Sequence, residues 1–286
     1  MSRSTFLHLR FPFSFFLLPV FLFALAIAES RNWINMGLTF FILHLLLYPA
    51  SNGYNSYFDK DEESIGGLKN PPKTTKELYW VSLAMDGLAL VLGLFISWQF
   101  SLMLLVYGMV SKSYSHPMVR LKKKPILGWL AVGIFQGWFT FLMTLVGVMG
   151  VGFSELWIWQ IQIPAILSSA LLLGSYPMTQ IYQHREDKLR GDTTISLKLG
   201  IKGTFIFTAV FFLFSNGGFL WYFLNYHSMM DAFYFQAALT PVMIYFFYWF
   251  FQSLKNSAVV NYSNTMGLNW ISSTMLNAFF LLLIFG

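Results

Sequence analysis

Asn55-Ser-Tyr-Phe-Asp59-Lys-Asp61-Glu62-Glu63 closes an apolar stretch over residues 34–58, and Gln183-His-Arg-Glu186-Asp187-Lys-Leu-Arg-Gly191-Asp192-Thr-Thr194 closes another over 156–182. Seven of the chain's twelve Asp and Glu residues fall in these two windows, interleaved with Lys and Arg. In the first, Asn55, Asp59 and Glu63 recur at four-residue steps, which on a continuous α-helix stacks three oxygen ligands along one face. Gln183 and Asp187 repeat the step in the second, followed by Gly191 and Thr194. Hard cations such as Mg²⁺ take such oxygens, retain several waters and share them with substrate phosphates, so one or two carboxylates per ion suffice. The same acids also read as helix-end charges, solvated and paired with Lys60, Lys188 or Arg190. Two like windows on one side of a membrane favour a shared site.

That a membrane is the setting follows from composition. Of 286 residues, 56 % are hydrophobic and only 10 % charged, with a mean hydropathy of +0.58, whereas soluble domains carry about 25 % charged residues. Apolar runs near the spanning length of about 20 residues recur throughout. The predicted spans are 11–29, 34–58, 77–98, 99–114, 127–150, 156–182, 203–225, 229–252 and 266–285, with a tight hairpin near Gln99. These describe an all-α polytopic protein of about nine helices and one domain over 1–286. The first run has Arg3 and Arg10 ahead of it and is followed by Glu29-Ser-Arg-Asn-Trp, so it is expected to be retained. Without cysteine there is no thiolate nucleophile, cysteine metal site or disulfide. Spans 2 and 6 both lead into acidic windows, a weak sign of a four-helix internal repeat.

With nine spans, seventeen of the eighteen Lys and Arg residues lie on the side of the N-terminus, and Arg31 alone lies opposite. The positive-inside rule then puts the N-terminus and both acidic windows in the cytoplasm and the C-terminus outside. Because the basic residues flank membrane segments, a net charge of +6 points to anionic headgroups and phosphorylated substrates rather than nucleic acid.

Taken with Tyr114-Ser115-His116-Pro117-Met-Val-Arg120-Leu-Lys122-Lys123-Lys124-Pro125, the two windows resemble the UbiA superfamily of intramembrane prenyltransferases across nearly the whole chain. The family's first motif, N-x-x-x-D-x-x-x-D, is matched by Asn55, Asp59 and, with a longer acid, Glu63. Its second, D-x-x-x-D followed by G-x-x-T, is matched by Asp187, Gly191 and Thr194, while Gln183 replaces a carboxylate. Lys69-Asn70-Pro71-Pro72-Lys73 is similar to a basic, proline-containing loop of the family.

The resemblance implies helices around a central cavity under cytoplasmic cap loops, and Mg²⁺-dependent transfer of a polyprenyl group from its diphosphate to a lipophilic or aromatic acceptor, such as a quinone precursor. It implies Asn55, Asp59, Glu63, Gln183 and Asp187 as metal ligands, Asp59 and Asp187 as the catalytic pair, and Arg120, Lys122, Lys123, Lys69, Lys73 and Tyr114 as substrate-binding residues. The basic run from Arg120 to Lys124 also reads as a topology signal. Cyclisation of the prenyl diphosphate would use the same metal site, and a non-catalytic lipid-diphosphate binder is the reading Gln183 favours. Asp86, inside a span, is either an acceptor-orienting group or a buried hydrogen-bonding acid. His44 is expected to pack between helices, and Tyr176, Thr179 and Gln180 are positioned to line the cavity.

Overall fold

The computed structural model describes residues 1–286. In chain order its α-helices are α1 (Arg3–Leu9), α2 (Leu18–Ile27), α3 (Trp33–Phe41), α4 (Tyr48–Asp59), α5 (Lys76–Leu94), α6 (Trp98–Ser115), α7 (Pro125–Gly133), α8 (Thr140–Met149), α9 (Trp159–Gln180), α10 (His184–Arg190), α11 (Ile195–Tyr226), α12 (Met229–Lys255) and α13 (Tyr262–Phe285). π-helical turns over Ile42–Leu47 and Ile134–Phe139 join α3 to α4 and α7 to α8, so each pair forms one long rod. The chain is all-helical, with an isolated Ile65–Leu68 bridge in a loop.

Seven of these helices or joined rods are long and apolar enough to cross a membrane. An eighth crossing is formed by Arg3–Phe16 and Leu18–Ile27 together, bent by 43°. The predicted first span is therefore a broken rod, because Pro12 and Pro19 each sit at the start of a new helical segment, where a missing N–H does least harm. The ninth expected span is α6, whose hydropathy is lowered by Gln99, Lys112 and four serines. The expected hairpin is present: α5 ends at Leu94, and Ser97 caps α6 by accepting the Phe100 N–H at 3.1 Å. The predicted seventh span starts late, since helix begins at Ile195 and breaks at Gly200, where φ is 70° and ψ 174°.

In lipid the apolar effect does not hold helices together, so close packing and interhelical hydrogen bonds must. Gly137 shows the first: a Cβ there would lie 2.4 Å from the Ser169 Cα of α9. At the same crossing the Ser169 hydroxyl donates to the Gly133 carbonyl at 2.8 Å and accepts the Trp138 N–H at 2.8 Å. Aromatic packing fills the far end, with Phe23 stacked on Phe280 at 4.7 Å and Phe219 on Phe235 at 4.8 Å. His44 behaves as a packing residue, stacked on Phe40 at 4.7 Å and edge-on to Tyr48 at 5.1 Å. Asp86 has a partner: it is ion-paired with Lys112 across the α5–α6 hairpin, and that ammonium lies 5.2 Å over the Tyr54 ring. Buried charge is tolerated where it is compensated in this way.

Candidate active site

The two acidic windows meet at one end of the bundle. α4 supplies Asn55 and Asp59 on its last two turns and then stops, because Lys60 adopts a left-handed conformation with φ 50°. That stop reverses the expectation of three ligands on one face. Glu63 falls beyond the helix, with its side chain 47 % exposed and 3.7 Å from Arg185, whereas Asp61, not singled out from the sequence, turns inward to pair with Arg190.

Asn55 is oriented by the Ser115 hydroxyl of α6, which donates to its Oδ1 at 2.8 Å. Asp59 pairs with Lys122 and lies 3.9 Å from Arg120. From the second window Asp187 accepts a hydrogen bond from Thr194 at 3.1 Å, and that same Oγ1 caps α11 by accepting the Leu197 N–H at 3.3 Å. Gln183 does not turn its amide toward Asp187; its Nε2 donates to the Ser64 carbonyl at 3.3 Å. The windows are stitched by the Glu62 N–H, which donates to Glu186 at 3.0 Å. Arg190 joins them again, within 3.5 Å of both the Asp59 carbonyl and the Asp187 carboxylate.

Asp192 is the centre that the sequence reading missed. Its side chain is fully buried, receives two hydrogen bonds of 3.0 Å from Arg120, and lies 3.2 Å from Lys122. The available signal was an acid directly after the Gly191 turn; its masking by the better-known neighbours Asp187 and Thr194 is why it escaped. Lys69, Lys73 and Lys123 are exposed and outside this cluster. Tyr114 joins it indirectly, its hydroxyl hydrogen-bonded to that of Tyr176.

Electrostatics match the geometry. Burial raises the Asp187 carboxyl to about 6, aided by Asp192 and Asp59 and opposed by Thr194 and Lys122. Asp192 is also pushed up by burial, but the Arg120 hydrogen bonds and the charges of Lys122 and Arg120 outweigh this and hold it below the usual carboxylate range. Burial raises Glu186, against the pull of the Glu62 and Glu63 N–H groups. Five acids (Asp59, Asp61, Glu186, Asp187 and Asp192) surround three cations (Arg120, Lys122 and Arg190), a formal excess of two negative charges. An added divalent cation would balance it. The donors are all hard oxygens, and the Lys122 ammonium already bridges Asp59 and Asp192 as a cation would, so the residues fit Mg²⁺. As they stand, no three acids converge on one metal position, because the protein's own cations hold them.

Beneath the cluster lies a cavity of about 490 Å³, 23 of its 35 lining residues hydrophobic. Asn52 of α4 and Tyr176 and Thr179 of α9 line it, and the acidic windows follow directly on the same helix and on the next. Gln180 is not itself in the lining, but its Nε2 donates to the hydroxyl of Tyr176, which is, at 3.0 Å. Leu213 and Phe247, also in the lining, are 71 % and 41 % exposed, so the cavity reaches the apolar outer face between α11 and α12.

The model of the UbiA prenyltransferase family matches residues 16–282. The chain belongs to that family. Solved UbiA homologs share its fold: one from Archaeoglobus fulgidus bound to DMAPP and Mg²⁺ has a TM-score of 0.71 at 17 % identity, covering 99 % of each chain. An apo homolog from Aeropyrum pernix K1 gives 0.69 at 15 % identity, again covering 99 % of each. A digeranylgeranylglyceryl phosphate synthase gives 0.60 at 17 % identity, covering 99 % of this chain and 97 % of that one. No curated protein matches the sequence. This UbiA family member is thus an integral, multi-pass membrane protein.

Proposed function

We propose that this protein transfers a prenyl group from a prenyl diphosphate to an acceptor inside the membrane, in a Mg²⁺-dependent reaction at the cytoplasmic face. The observation that carries the reading is the stacking of a charged, oxygen-rich mouth directly on an apolar cavity that reaches the outer face of the bundle. An anionic head and a long hydrocarbon tail are the ligand chemistry that this arrangement suits. Structures of Archaeoglobus fulgidus homologs bound to DMAPP or GPP with Mg²⁺ support it.

Asn55, Asp59 and Asp187 would hold the metal, with Gln183 and Glu63 at the margin. When bound, Mg²⁺ neutralises diphosphate charge and makes it a better leaving group. Arg120, half-buried, and Lys122, buried beside Asp59, hold the diphosphate oxygens and stabilise the charge that grows there as the C–O bond breaks. Tyr114 and Tyr176 close the floor of the mouth and keep water from the allylic carbon. Lys69, Lys73 and Lys123 face lipid headgroups. The whole chain acts as one domain.

The test is incubation of purified protein in lipid nanodiscs with labelled geranylgeranyl diphosphate, MgCl₂ and a lipid extract. A prenylated product that disappears with EDTA is expected. A cyclised product would replace the acceptor step, and Mg²⁺-dependent binding with no diphosphate release would make the protein a binder.

A further inference from the structure

The cavity is closed at its far end and open at one side. At the far end Phe23 stacks on Phe280, each 1 % exposed, and Phe141 and Phe219 pack against Phe23 at 5.3 and 5.5 Å. That floor leaves no way through for a chain. Of all the lining residues, only Val210 and Leu213 of α11 and Met243 and Phe247 of α12 are exposed. On each helix the two stand one turn apart, so they form the two edges of a slit. Aromatic contacts close the slit on the side of the mouth, where Phe205 of α11 stacks on Phe250 of α12 at 5.0 Å and meets Phe246 at 5.5 Å. An amide pair closes the other side. Asn216 Nδ2 donates to Gln236 Oε1 at 3.1 Å, and Gln236 Nε2 returns the bond to Asn216 Oδ1 at 2.8 Å. Side-chain amides inside a membrane are costly unless paired, and this reciprocal clasp pins α11 to α12.

From Val210 to Asn216 the slit runs six residues along α11. That is about 9 Å, narrower than a helix of roughly 10–12 Å, so a hydrocarbon chain fits it and a partner helix does not. Leu213 lies thirteen residues from Gly200 and thirteen from Tyr226, and Met243 stands near the middle of α12, so the slit opens at mid-bilayer. Thirteen residues of helix measure about 20 Å from the cap segment to the slit, the length of roughly four extended isoprene units of about 5 Å each. A tail of four units therefore ends inside. A longer one meets the Phe23–Phe280 floor and has to turn out between Leu213 and Met243.

We infer that prenyl diphosphates longer than four isoprene units bind with the far end of the tail passing through the slit between α11 and α12 into the bilayer, and that Leu213 and Met243, above the Asn216–Gln236 clasp, determine which tail lengths are accepted. This rests on the prenyl-diphosphate reading above. Lipid tails are as apolar as the side chains of the slit, so the units beyond the fourth exchange one apolar surrounding for another and leave binding unchanged. Without the slit, those units would have to fold back into a cavity whose floor is already close-packed, and binding would fall steeply with tail length. A phospholipid acyl chain seated in the slit is the competing occupant, and it would make the slit indifferent to tail length.

The test is displacement of labelled geranylgeranyl diphosphate, whose tail has four units, by the unlabelled compound and by nonaprenyl diphosphate, whose tail has nine, from the protein in nanodiscs with MgCl₂ at a fixed ratio of ligand to lipid. For the wild type the two Kd values should agree within about threefold. Leu213→Trp and, from the opposite edge, Met243→Trp narrow the slit, and each should raise the ratio of nonaprenyl to geranylgeranyl Kd at least about tenfold. Both residues are exposed, so the added bulk does not enter the packed interior. Phe214→Trp, on the same helix but outside the cavity lining and 75 % exposed, should leave the ratio as it is. A larger wild-type ratio would overturn the inference by showing that long tails find no exit. A ratio that the two slit variants leave unmoved would also overturn it and give the slit to lipid. Failure of geranylgeranyl diphosphate itself to bind in Mg²⁺ would instead defeat the prenyl-diphosphate reading.

Discussion

Arg120 holds Asp192 through two parallel hydrogen bonds of 3.0 Å, from Nε and Nη2, and so ties the loop after α6 to the turn after α10. Planar two-point pairing of this kind is something a lysine cannot reproduce. Arg120→Lys should lower the thermal unfolding temperature, and Asp192→Ala should lower it further, because Lys122 keeps Asp59 but Arg120 loses both its hydrogen bonds and retains Asp59 only at 3.9 Å, a loss of about 1.5–3 kcal/mol. Unfolding curves in detergent check this. An Asp192→Ala protein as stable as the wild type would remove Asp192 from the framework.

Asp59→Ala should abolish diphosphate release while leaving the fold intact. Lys122 retains Asp192 at 3.2 Å in that variant, so no cation is stranded. The paired measurements are phosphate-analyser release of diphosphate and thermal unfolding. Normal Mg²⁺-dependent turnover would exclude the first window from the chemistry.

Gln183→Asp should lower the Mg²⁺ concentration needed for half-maximal activity. The new anion stands one helical turn before Asp187 and adds attraction for the metal, and the lost donation to the Ser64 carbonyl is a single 3.3 Å bond. A Mg²⁺ titration of both proteins decides it. A half-saturation point that is unchanged or higher would mean that Gln183 serves as a tie to the Ser64 loop and not as a weakened ligand.

Gly137→Val should destabilise the protein by roughly 1–3 kcal/mol through overpacking, since its first added carbon already meets the Ser169 backbone. Activity per folded molecule should be retained. An unfolding temperature equal to that of the wild type would show that the crossing can open without cost.

Reporter tags inserted at residues 65 and 195 should report the cytoplasm and a tag at the C-terminus the exterior. This outcome needs both the bent N-terminal pair and the polar α6 to cross the membrane. A cytoplasmic C-terminus would show that one of them does not.

The helices were legible because lipid allows few alternatives to long apolar runs, and Asn55, Asp59, Asp187 and Thr194 stood out because polar groups are scarce in this chain. Which of the consecutive acids after Asp59 turns inward was not legible. That depends on the left-handed Lys60, which breaks the four-residue rhythm and exchanges Glu63 for Asp61. Arg190 and Asp192 were hidden for a similar reason: their importance comes from partners on other helices, Asp61 and Arg120, far away in sequence. In the basic loops Lys69, Lys73 and Lys123 look like Lys122 in sequence, and the sequence does not show that only Lys122 is buried among the acids. The bend in the first crossing was present as Pro12 and Pro19 but was outweighed by the unbroken apolar run around them.

The pairing of Arg190 with Asp61 spans 129 residues of chain. During synthesis at about 5–20 residues per second, Asp61 therefore emerges on the order of ten seconds before its partner. For that interval Asp59 can pair with Lys122 and Arg120, while Asp61 and Glu63 wait for Arg190 and Arg185. A fragment ending between α7 and α9 would keep the Asp59 pairs with Arg120 and Lys122 but would leave Asp61 without Arg190.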